Sequence, residues 1–540
     1  MQSHFFPKDY ILIWLLLVLM GLVCRPLMPI DETRAVSVAW EMWRRGDFLV
    51  PHLNGLPYSH KPPLLQWCIH FFWSLLGVQE WNARLVAPLF ALGNLVMTVK
   101  LSRLLWPDDM TCPRMVPLIL LALPVWALWS TLTLYDMLAT FFTLLSLYGI
   151  CLASQGKTYK GWVLAALAIG GGILAKGPAL LLMSLPTALF APWWMRAKPQ
   201  TGWMVWYANL LRALLMGGVI ALIWAIPAGF AGGEDYQKAI LWVQTVGRIS
   251  HSFAHSRPFW WYFVMLPFAF LPWIAWPALW RSARAMVMDS GVRFCATQSL
   301  SALLLFSLVS AKQLHYLLPI FPSLALIAAR TLSLSNFRVG RKDQIPFLLL
   351  IAIVVALFFW LPSAGLMMTI GEAADITGKT PWPLIISILG FVVAILLWRP
   401  FTPLASVRAV AFSVLGLMLI AHLVFLQVGW PYYSMQAFAD KLAELENQGI
   451  PIAHWKKYHG EFNFLGHLSY PLVEIDDKQV LLSWIGTHNQ GVVVIIGQAN
   501  ALADEEGAVF AQLYRGSRRI MLWKCDYLTS RPDIIQRIFE

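Results

Sequence analysis

The chain has 540 residues, of which 59% are hydrophobic and only 13% are charged, and its mean hydropathy is +0.63. Soluble globular domains carry about 25% charged residues, so this composition excludes an ordinary soluble enzyme, a disordered chain and a disulfide-stapled secreted domain. The net charge of +12 does not indicate a nucleic acid partner, because residues 431–540 hold 10 Lys and Arg against 13 Asp and Glu. The positive excess therefore lies in the apolar part, where membrane orientation explains it.

Apolar stretches long enough to cross a bilayer recur from residue 11 to about residue 428. Because about 20 apolar residues span the hydrocarbon core, the chain is predicted to be an all-α polytopic membrane protein. It should have about thirteen transmembrane helices, near residues 11–29, 83–105, 115–132, 137–153, 161–175, 178–195, 206–228, 259–280, 296–311, 315–333, 345–362, 382–398 and 409–428. The first stretch lacks a small-residue cleavage site, so we interpret it as a retained span.

The short alternate loops are rich in Lys and Arg, and the positive-inside rule places them, with the N-terminus, in the cytoplasm. Two segments on the opposite face are long enough to fold outside the bilayer. One is the loop of residues 30–82, within a membrane domain of residues 1–430, and the other is the tail of residues 431–540. We expect chemistry on that face.

Each of these two segments has a predictable local structure. The loop predicts a helix that begins near Asp31, followed by a second at residues 64–76 that is apolar but too short to span. The tail predicts an amphipathic helix at residues 440–448 and a buried strand at residues 492–496, with polar turns between them. A small α/β domain is the expected fold of the tail.

Carboxylates occur where this face of the bilayer meets water. Asp31 and Glu32 follow the first span directly, and Asp136 lies in a tight loop on the same face. Asp31 or Thr33 could simply cap the helix that follows, and Asp136 could cap the next span. The alternative is that Asp31 and Asp136 act together, as a base and its orienting partner.

Four cations lie at span ends on this face, against the positive-inside trend: Lys61, Lys176, Arg257 and Lys312. Each of them could reach headgroup phosphates on its own. Four together, each beside Pro, Gly, His or Tyr, favour a bound anion, most simply the phosphate of a lipid substrate.

Histidines on the same face offer a further possibility. His60 and His255 could ligate a divalent metal, with a carboxylate or water completing the shell. Hydrogen-bonded structural histidines are the alternative. His315, next to Tyr316, could serve the phosphate instead.

Several motifs together resemble the bacterial aminoarabinose transferases of lipid A, and the wider group of polyprenyl-phosphate-dependent glycosyltransferases that includes the protein O-mannosyltransferases. The resemblance covers about residues 10–330, and the order of the motifs is highly specific. They are Asp31-Glu32-Thr33-Arg34, residues 46–55, Lys61-Pro62-Pro63, Asp136, Lys176-Gly177-Pro178 and residues 312–319. The resemblance implies a GT-C fold, a sugar donor linked to undecaprenyl phosphate and inverting transfer on the periplasmic side of the bacterial inner membrane.

The resemblance also implies roles for single residues. Asp31 matches the catalytic carboxylate of the family and Asp136 its second acidic residue. The donor phosphate is expected at Lys61, Arg257 and Tyr316.

Other positions match residues that line the same cavity or hold a metal. Tyr58 and Arg34 match lining residues. The aminoarabinose transferases bind zinc through a Glu that precedes the loop Lys, together with the residue matching His255. This chain has His60 in place of that Glu, a pair still chemically suited to zinc.

Three functions compete at this stage. The leading hypothesis is transfer of a sugar from an undecaprenyl-phosphate donor to lipid A or a related lipid or glycan acceptor. Protein O-glycosylation uses the same donor chemistry with a polypeptide hydroxyl as acceptor. A transporter or flippase predicts ionisable residues at the bilayer midplane and inverted repeats, whereas the charges in this sequence cluster at span ends.

Overall fold

The computed structural model describes residues 8–242, 256–281, 283–286, 288–334, 339–363, 390, 402–498, 507–516, 518–531 and 534–535. The described part of the membrane domain is almost wholly helical. Its main helices are α1 (Lys8–Cys24), α2 (Asp31–Arg45), α3 (Leu64–Leu76), α4 (Val86–Leu105), α5 (Cys112–Leu121), α6 (Asp136–Ser154), α7 (Thr158–Lys176), α8 (Leu181–Leu189), α9 (Gly202–Gly232), α10 (Trp261–Ala269), α11 (Ser290–Leu308), α12 (Phe321–Ser333), α13 (Arg341–Ser363) and α14 (Pro403–Val424).

Seven helical segments of the described residues are long and apolar enough to cross a membrane, and shorter apolar helices accompany them. The protein is therefore a multi-pass membrane protein. Each predicted span matches a helix or a run of short helices, except the span at 382–398, which lies almost wholly outside the described residues.

Prolines explain why some predicted spans are divided into shorter helices. The span predicted at 115–132 is broken between α5 and a short helix, Pro124–Trp129, that begins on a proline. The span at 259–280 contains α10 and two shorter helices, and Pro277 begins the second of them. Proline has no backbone N–H to donate to the preceding turn, so an apolar run alone overestimates the length of a continuous helix.

The hairpin of α6 and α7 packs closely near its turn, at the end away from Asp136 and Lys176. A Cβ atom built on Gly149 would lie 2.5 Å from the carbonyl oxygen of Gly161. Only glycine allows the two backbones to approach this closely, as at small-residue interfaces between membrane helices. Because the two 19-residue helices run antiparallel, the first residue of α6 meets the last residue of α7.

The tail forms one five-stranded sheet with helices packed against it. The strands are β3 (Ile452–Trp455), β4 (Val473–Ile475), β5 (Val492–Gln498), β6 (Ala508–Tyr514) and β7 (Arg518–Lys524), following a short hairpin of β1 (His52–Leu53) and β2 (Leu56–Pro57) in the loop. Their order is β4-β3-β5-β7-β6, with β3 parallel to β4 and β5 and the other pairs antiparallel. Buried residues cover both faces of the sheet. The helices α15 (Gln436–Asn447) and α16 (Lys478–Thr487) complete the α/β fold predicted from the sequence.

The tail packs directly on the loop of residues 30–82. The hydroxyl of Ser37 donates to the carbonyl of Gly460 at 2.7 Å. Asn54 makes two hydrogen bonds with the backbone of Leu472, at 2.9 and 2.8 Å. The Trp40 ring stacks on His467 with 4.7 Å between ring centroids. The two segments that the sequence places outside the bilayer therefore form one continuous structure.

Candidate active site

The α6–α7 hairpin brings Asp136 and Lys176 together, although 40 residues separate them in the sequence. Their side chains form an ion pair and are only 5% and 17% exposed. Asp136 is not a capping residue, because Tyr135 holds the N-cap position of α6 and no side chain caps that end. Removing either partner would leave a largely buried charge without its counterion.

Aromatic side chains surround this ion pair. The ammonium of Lys176 lies 5.0 Å from the centre of the Tyr316 ring. The ring of His315 meets Tyr316 at 4.8 Å and stacks on Trp129 at 5.7 Å between centroids. Cations are attracted to aromatic faces, so the rings help to hold the charges in place.

Lys61 approaches the same place from the loop. Its ammonium lies 5.8 Å from the centre of the Tyr135 ring, and its charge acts on both Asp136 and His315. The hydroxyl of Tyr135 accepts a hydrogen bond from the amide of Gln66 on α3 at 2.7 Å. We refer to Lys61, Asp136, Lys176, His315 and Tyr316 as the charged cluster.

Asp31 lies at the edge of the charged cluster. It is the first residue of α2, its side chain is 72% exposed, and it accepts a hydrogen bond from Arg34 at 2.5 Å. Ile30 holds the N-cap position, so Asp31 does not cap α2. The charge of Asp31 acts on His315 together with those of Asp136, Lys176 and Lys61. An exposed carboxylate beside half-buried cations can meet a substrate that those cations hold.

Arg34 and Tyr58, predicted to line the cavity, also lie close to the cluster. Both act electrostatically on the phenol of Tyr135. The ring of Tyr58 lies 5.0 Å from the ring of His60. The structure thus gathers nearly all the predicted residues of the loop around Tyr135, which the sequence analysis did not single out.

A buried network positions the two segments that carry carboxylates. Glu32 and Arg25 form an ion pair and are 1% and 4% exposed. The other oxygen of Glu32 accepts from the backbone N–H of Thr133 at 2.6 Å, and Arg25 donates to the carbonyl of Thr131 at 2.9 Å. The network therefore ties the start of α2 to the loop that leads into α6.

Sequence reasoning missed the function of this network. Arg25 lies at the far end of the first span, so the rule that selected the four predicted cations also applies to it. Glu32 was noted beside Asp31, but one of its partners, the backbone N–H of Thr133, lies 101 residues away in the loop before α6. No sequence spacing reveals a contact of that kind.

Arg257 and Lys312 lie together, away from the described contacts of the cluster. Arg257 is exposed, and its backbone N–H donates to Ser310 at 3.2 Å. The ammonium of Lys312 is buried and donates to the carbonyls of Arg257 and Val309, at 2.9 and 2.5 Å. Within the described residues, Lys312 therefore stabilises the turn after α11.

The predicted metal pair can be located only in part. His60 is exposed on the loop, and His255 lies outside the described residues. Among the residues that the structure describes, no group of three or more His, Cys, Asp or Glu side chains could hold a metal ion.

Known proteins resemble this chain in sequence over part of its length. A family model described as dolichyl-phosphate-mannose-protein mannosyltransferase matches residues 60–230. The undecaprenyl phosphate-α-4-amino-4-deoxy-L-arabinose arabinosyl transferase of Erwinia tasmaniensis is 29% identical over 59% of this chain and 58% of its own length. The transferase of the same name from Pseudomonas aeruginosa is 30% identical over 58% of this chain and 56% of its own length. The chain therefore matches a little over half the length of these relatives.

A solved structure resembles the chain over nearly its whole length. ArnT from Cupriavidus metallidurans, known in the apo state and bound to undecaprenyl phosphate, aligns with a TM-score of 0.72 at 19% identity, over 95% of this chain and 97% of that chain. At this identity the likeness shows the fold, and it confirms the GT-C fold predicted from the motifs. This chain is a multi-pass membrane protein with the GT-C fold of ArnT, and its sequence resembles the undecaprenyl phosphate-aminoarabinose arabinosyl transferases.

Proposed function

We propose that this protein is a membrane glycosyltransferase that moves a sugar from an undecaprenyl-phosphate donor to lipid A or a related lipid or glycan acceptor. The charged cluster is the observation that carries the proposal. It places two lysines and a histidine beside an exposed carboxylate, at the ends of membrane helices. A lipid phosphate that carries a sugar requires cations at the ends of the membrane helices to bind the phosphate, and a base beside them to act on the acceptor.

The chemistry needs little beyond these groups. An acceptor oxygen attacks the anomeric carbon, the bond from that carbon to the phosphate oxygen breaks, and undecaprenyl phosphate leaves with the electron pair. Lys61 and Lys176 would neutralise the charge that grows on the leaving phosphate. Asp31 would take the proton of an acceptor hydroxyl, or orient an acceptor phosphate that has no proton to lose.

An apolar groove on α3, the helix that carries Gln66, suits the polyprenyl chain of such a donor. The groove has a volume of about 350 Å³ and lies between α3 and α4, where its lining includes Trp67, Phe71 and Leu89. Trp67 follows Gln66, the residue that binds Tyr135. A lipid bound here would keep its tail against the membrane while its phosphate reached Lys61.

Protein O-glycosylation is the second candidate, favoured by the family model that matches residues 60–230. It would use the same donor site and differ only in the acceptor. A transfer assay that offers both acceptors separates the two functions.

The test is transfer by the purified protein in lipid nanodiscs that contain undecaprenyl-phosphate aminoarabinose. We expect mass spectrometry to find lipid A heavier by one aminopentose residue. Sugar attached to a peptide but not to lipid A would favour the second candidate, and modification of neither acceptor would contradict the proposal.

We further propose the bacterial inner membrane as the location, with the charged cluster and the tail on the periplasmic side. The positive-inside distribution of Lys and Arg supports this orientation. Cysteine labelling with a membrane-impermeant reagent at an exposed tail position such as Lys524→Cys should succeed from the periplasm. Labelling only after the inner membrane is permeabilised would contradict the proposed orientation.

A divalent metal at His60 and His255 is also a proposal. The exposed ring of His60 suits a ligand that a second residue must complete, and a bound metal would supply a fixed positive charge near the donor. We expect purified protein to contain zinc in a His60-dependent amount when measured by mass spectrometry of the metal. Equal metal content in the His60→Ala variant would contradict the proposal.

A further inference from the structure

The tail reaches the candidate active site through one short segment, residues 456–460, which we call the tail loop. Its last residue, Gly460, has a φ of +81° and lies against α2. A Cβ atom built on Gly460 would lie 3.3 Å from Cβ of Ser37 and 3.6 Å from Cα of Arg34. The last residue of the tail loop therefore lies one helical turn from Asp31.

The tail loop is held firmly at both ends. The N–H of Lys456 donates to the carbonyl of Ile475 at 2.7 Å, and its carbonyl accepts from the ring of His454 at 2.9 Å. At the other end, the carboxylate of Glu461 accepts from the N–H of His459 at 3.0 Å. Lys456 has a φ of +66°, which a residue with a side chain adopts only when its surroundings impose it.

One aromatic residue, Tyr458, anchors the tail loop in the interior of the tail. Tyr458 is buried, and its hydroxyl accepts from the N–H groups of Phe462 and Asn463, at 2.8 and 3.2 Å. With Tyr458 directed into the domain, the side chains on either side of it are left at the surface. Lys456 and Lys457 are exposed, and His459 is half-buried.

The tail loop and the start of α2 form a surface with more positive than negative groups. The charges of Arg34, Lys457, Glu474 and Asp31 all act on His459. Asp31 is paired with Arg34, whereas Glu474 accepts from the neutral amide of Asn54 at 3.0 Å and keeps its charge. Lys457 balances the charge of Glu474, and Lys456, next to it in the chain, adds one further positive charge to this surface.

The lysines of the tail loop come from a different part of the chain than the cations assigned to the donor. Lys61 and Lys176 lie in the membrane domain with Tyr135 and Tyr316, whereas the tail loop approaches Arg34 from the tail. An enzyme that transfers a sugar to an anionic lipid must bind two anions, one that leaves and one on the incoming molecule. Two groups of cations near Asp31 match that need.

We propose that Lys456, Lys457 and His459 form the binding site for a phosphate monoester of the acceptor, so that the tail takes part in acceptor recognition. This inference rests on the proposed function, because it assumes that Asp31 marks the site of transfer. Lys456 and Lys457 donate charged hydrogen bonds to the phosphate, and the rigid loop fixes its distance from Asp31.

The test compares acceptors with and without phosphate. Wild-type protein and the Lys456→Gln/Lys457→Gln variant are assayed in phosphatidylcholine nanodiscs, with phosphorylated lipid A and with lipid A dephosphorylated enzymatically. We expect the variant to raise the acceptor KM about tenfold, without changing the donor KM. With the dephosphorylated acceptor, the two proteins should have the same acceptor KM. The Lys456→Arg/Lys457→Arg variant should restore activity toward the phosphorylated acceptor.

Lys524→Gln is the matched control, since Lys524 is exposed at the end of β7, a strand that pairs with β5 and β6. An unchanged acceptor KM in the double Gln variant would overturn the inference, as would an equal defect with both acceptors. Anionic lipid headgroups are the other source of phosphate. A defect that appears only when phosphatidylglycerol is added to the nanodiscs would assign the lysines to the bilayer and also overturn it.

A direct binding measurement separates this inference from the proposed function. Fluorescent phosphorylated lipid A is titrated onto both proteins in the absence of donor. Weaker binding to the variant supports the tail loop site even if no sugar is transferred, in which case only the proposed reaction fails. Equal binding, with normal transfer by the wild type, overturns the tail loop site alone.

Discussion

Asp31 differs from the other acidic residues near the charged cluster in its exposure. Asp136 and Glu32 are buried in ion pairs, whereas the side chain of Asp31 is 72% exposed and is held by Arg34. A buried, paired carboxylate fixes structure, and an exposed one at the edge of a cation cluster can reach an acceptor. From this difference we propose the catalytic role for Asp31 and a positioning role for Asp136.

The first prediction concerns this carboxylate. Asp31→Asn keeps the size of the side chain and removes its charge, so we expect the transfer rate to fall by about 10²- to 10⁴-fold, the usual contribution of a general base. Thermal stability in detergent should stay unchanged. Asp108→Asn, at an exposed position just after the C-terminal end of α4, is the control and should retain full activity. Normal turnover by Asp31→Asn would remove Asp31 from the mechanism.

The second prediction concerns the buried pair of Glu32 and Arg25. Glu32→Gln leaves the buried guanidinium without a counterion, which costs about 3–5 kcal/mol of stability. The exposed pair of Glu234 and Lys238, with side chains 90% and 72% exposed, is the matched control. Glu234→Gln should change stability by less than about 1 kcal/mol. Equal shifts in unfolding temperature for the two variants would show that the buried pair stabilises the protein no more than the exposed pair does.

At the scale of secondary structure, the α6–α7 hairpin places Asp136 against Lys176. The two helices pack closely near their turn because Gly149 and Gly161 lack side chains, and their backbones meet there. The network of Arg25 and Glu32 then fixes the loop before α6 relative to α2. Two contacts between elements, neither of them local in sequence, thus determine where the charges of the site lie.

The third prediction tests the close approach of the hairpin. Gly149→Ala would bring a methyl group to 2.5 Å from the carbonyl of Gly161, and such overpacking costs about 1–3 kcal/mol. Gly218 on α9 has no atom within 4 Å of a built Cβ, so Gly218→Ala should keep or slightly raise stability, as Ala favours helix. Unfolding temperatures in the same detergent measure both effects. A Gly149→Ala variant as stable as Gly218→Ala would contradict the described packing.

At the scale of the whole molecule, the tail and the membrane domain meet over the loop of residues 30–82. The tail is held there by Ser37, Trp40 and Asn54. Its buried ionisable groups make its stability depend on pH. Burial lowers the pKa of His454 to about 4 and raises the pKa of Glu461 above its usual value.

The fourth prediction follows from the pKa of His454. The unfolded chain binds a proton at this histidine below about pH 6.5, whereas the folded tail does not until about pH 4. The contribution of His454 to stability is therefore complete above pH 6.5 and falls as the pH drops toward 4, by up to about 3 kcal/mol. Glu461 has the opposite effect, because its raised pKa favours the folded state as the pH falls.

Hydrogen exchange of the β3 amides in the full-length protein measures this dependence. We expect faster exchange opening at pH 5 than at pH 7 in the wild type. In the His454→Asn variant, which keeps a donor for the carbonyl of Lys456, the pH dependence should be smaller. The same dependence in both proteins would show that another group controls it.

The sequence predicted the elements of this fold better than their contacts. The lengths of the apolar stretches predicted the membrane spans. The second helix of the loop has the predicted bounds, Leu64–Leu76. The strand at β5 and the helix α15 in the tail are also confirmed. The divisions at Pro124 and Pro277 were not predicted, because the count of apolar residues ignored the missing proline N–H.

For the site, residue type and membrane face were predictable and pairing was not. Span ends indicated which carboxylates and cations share one face, and the structure brings Lys61, Lys176 and Asp136 together. The same rule selected Lys312, whose ammonium binds backbone carbonyls. The roles of Tyr135 and Arg25 in the site could be recognised only from the packing of α2, α3 and α6.

The central claim is that the charged cluster holds the phosphate of a polyprenyl lipid. Its most direct test is an electron cryomicroscopy structure of the protein in nanodiscs containing undecaprenyl phosphate. We predict density for the phosphate within hydrogen-bond distance of Lys61 or Lys176, with Asp31 facing it. Phosphate density elsewhere, for instance in the cavity of about 500 Å³ lined by Arg196 and Lys198, with the cluster empty, would contradict the claim.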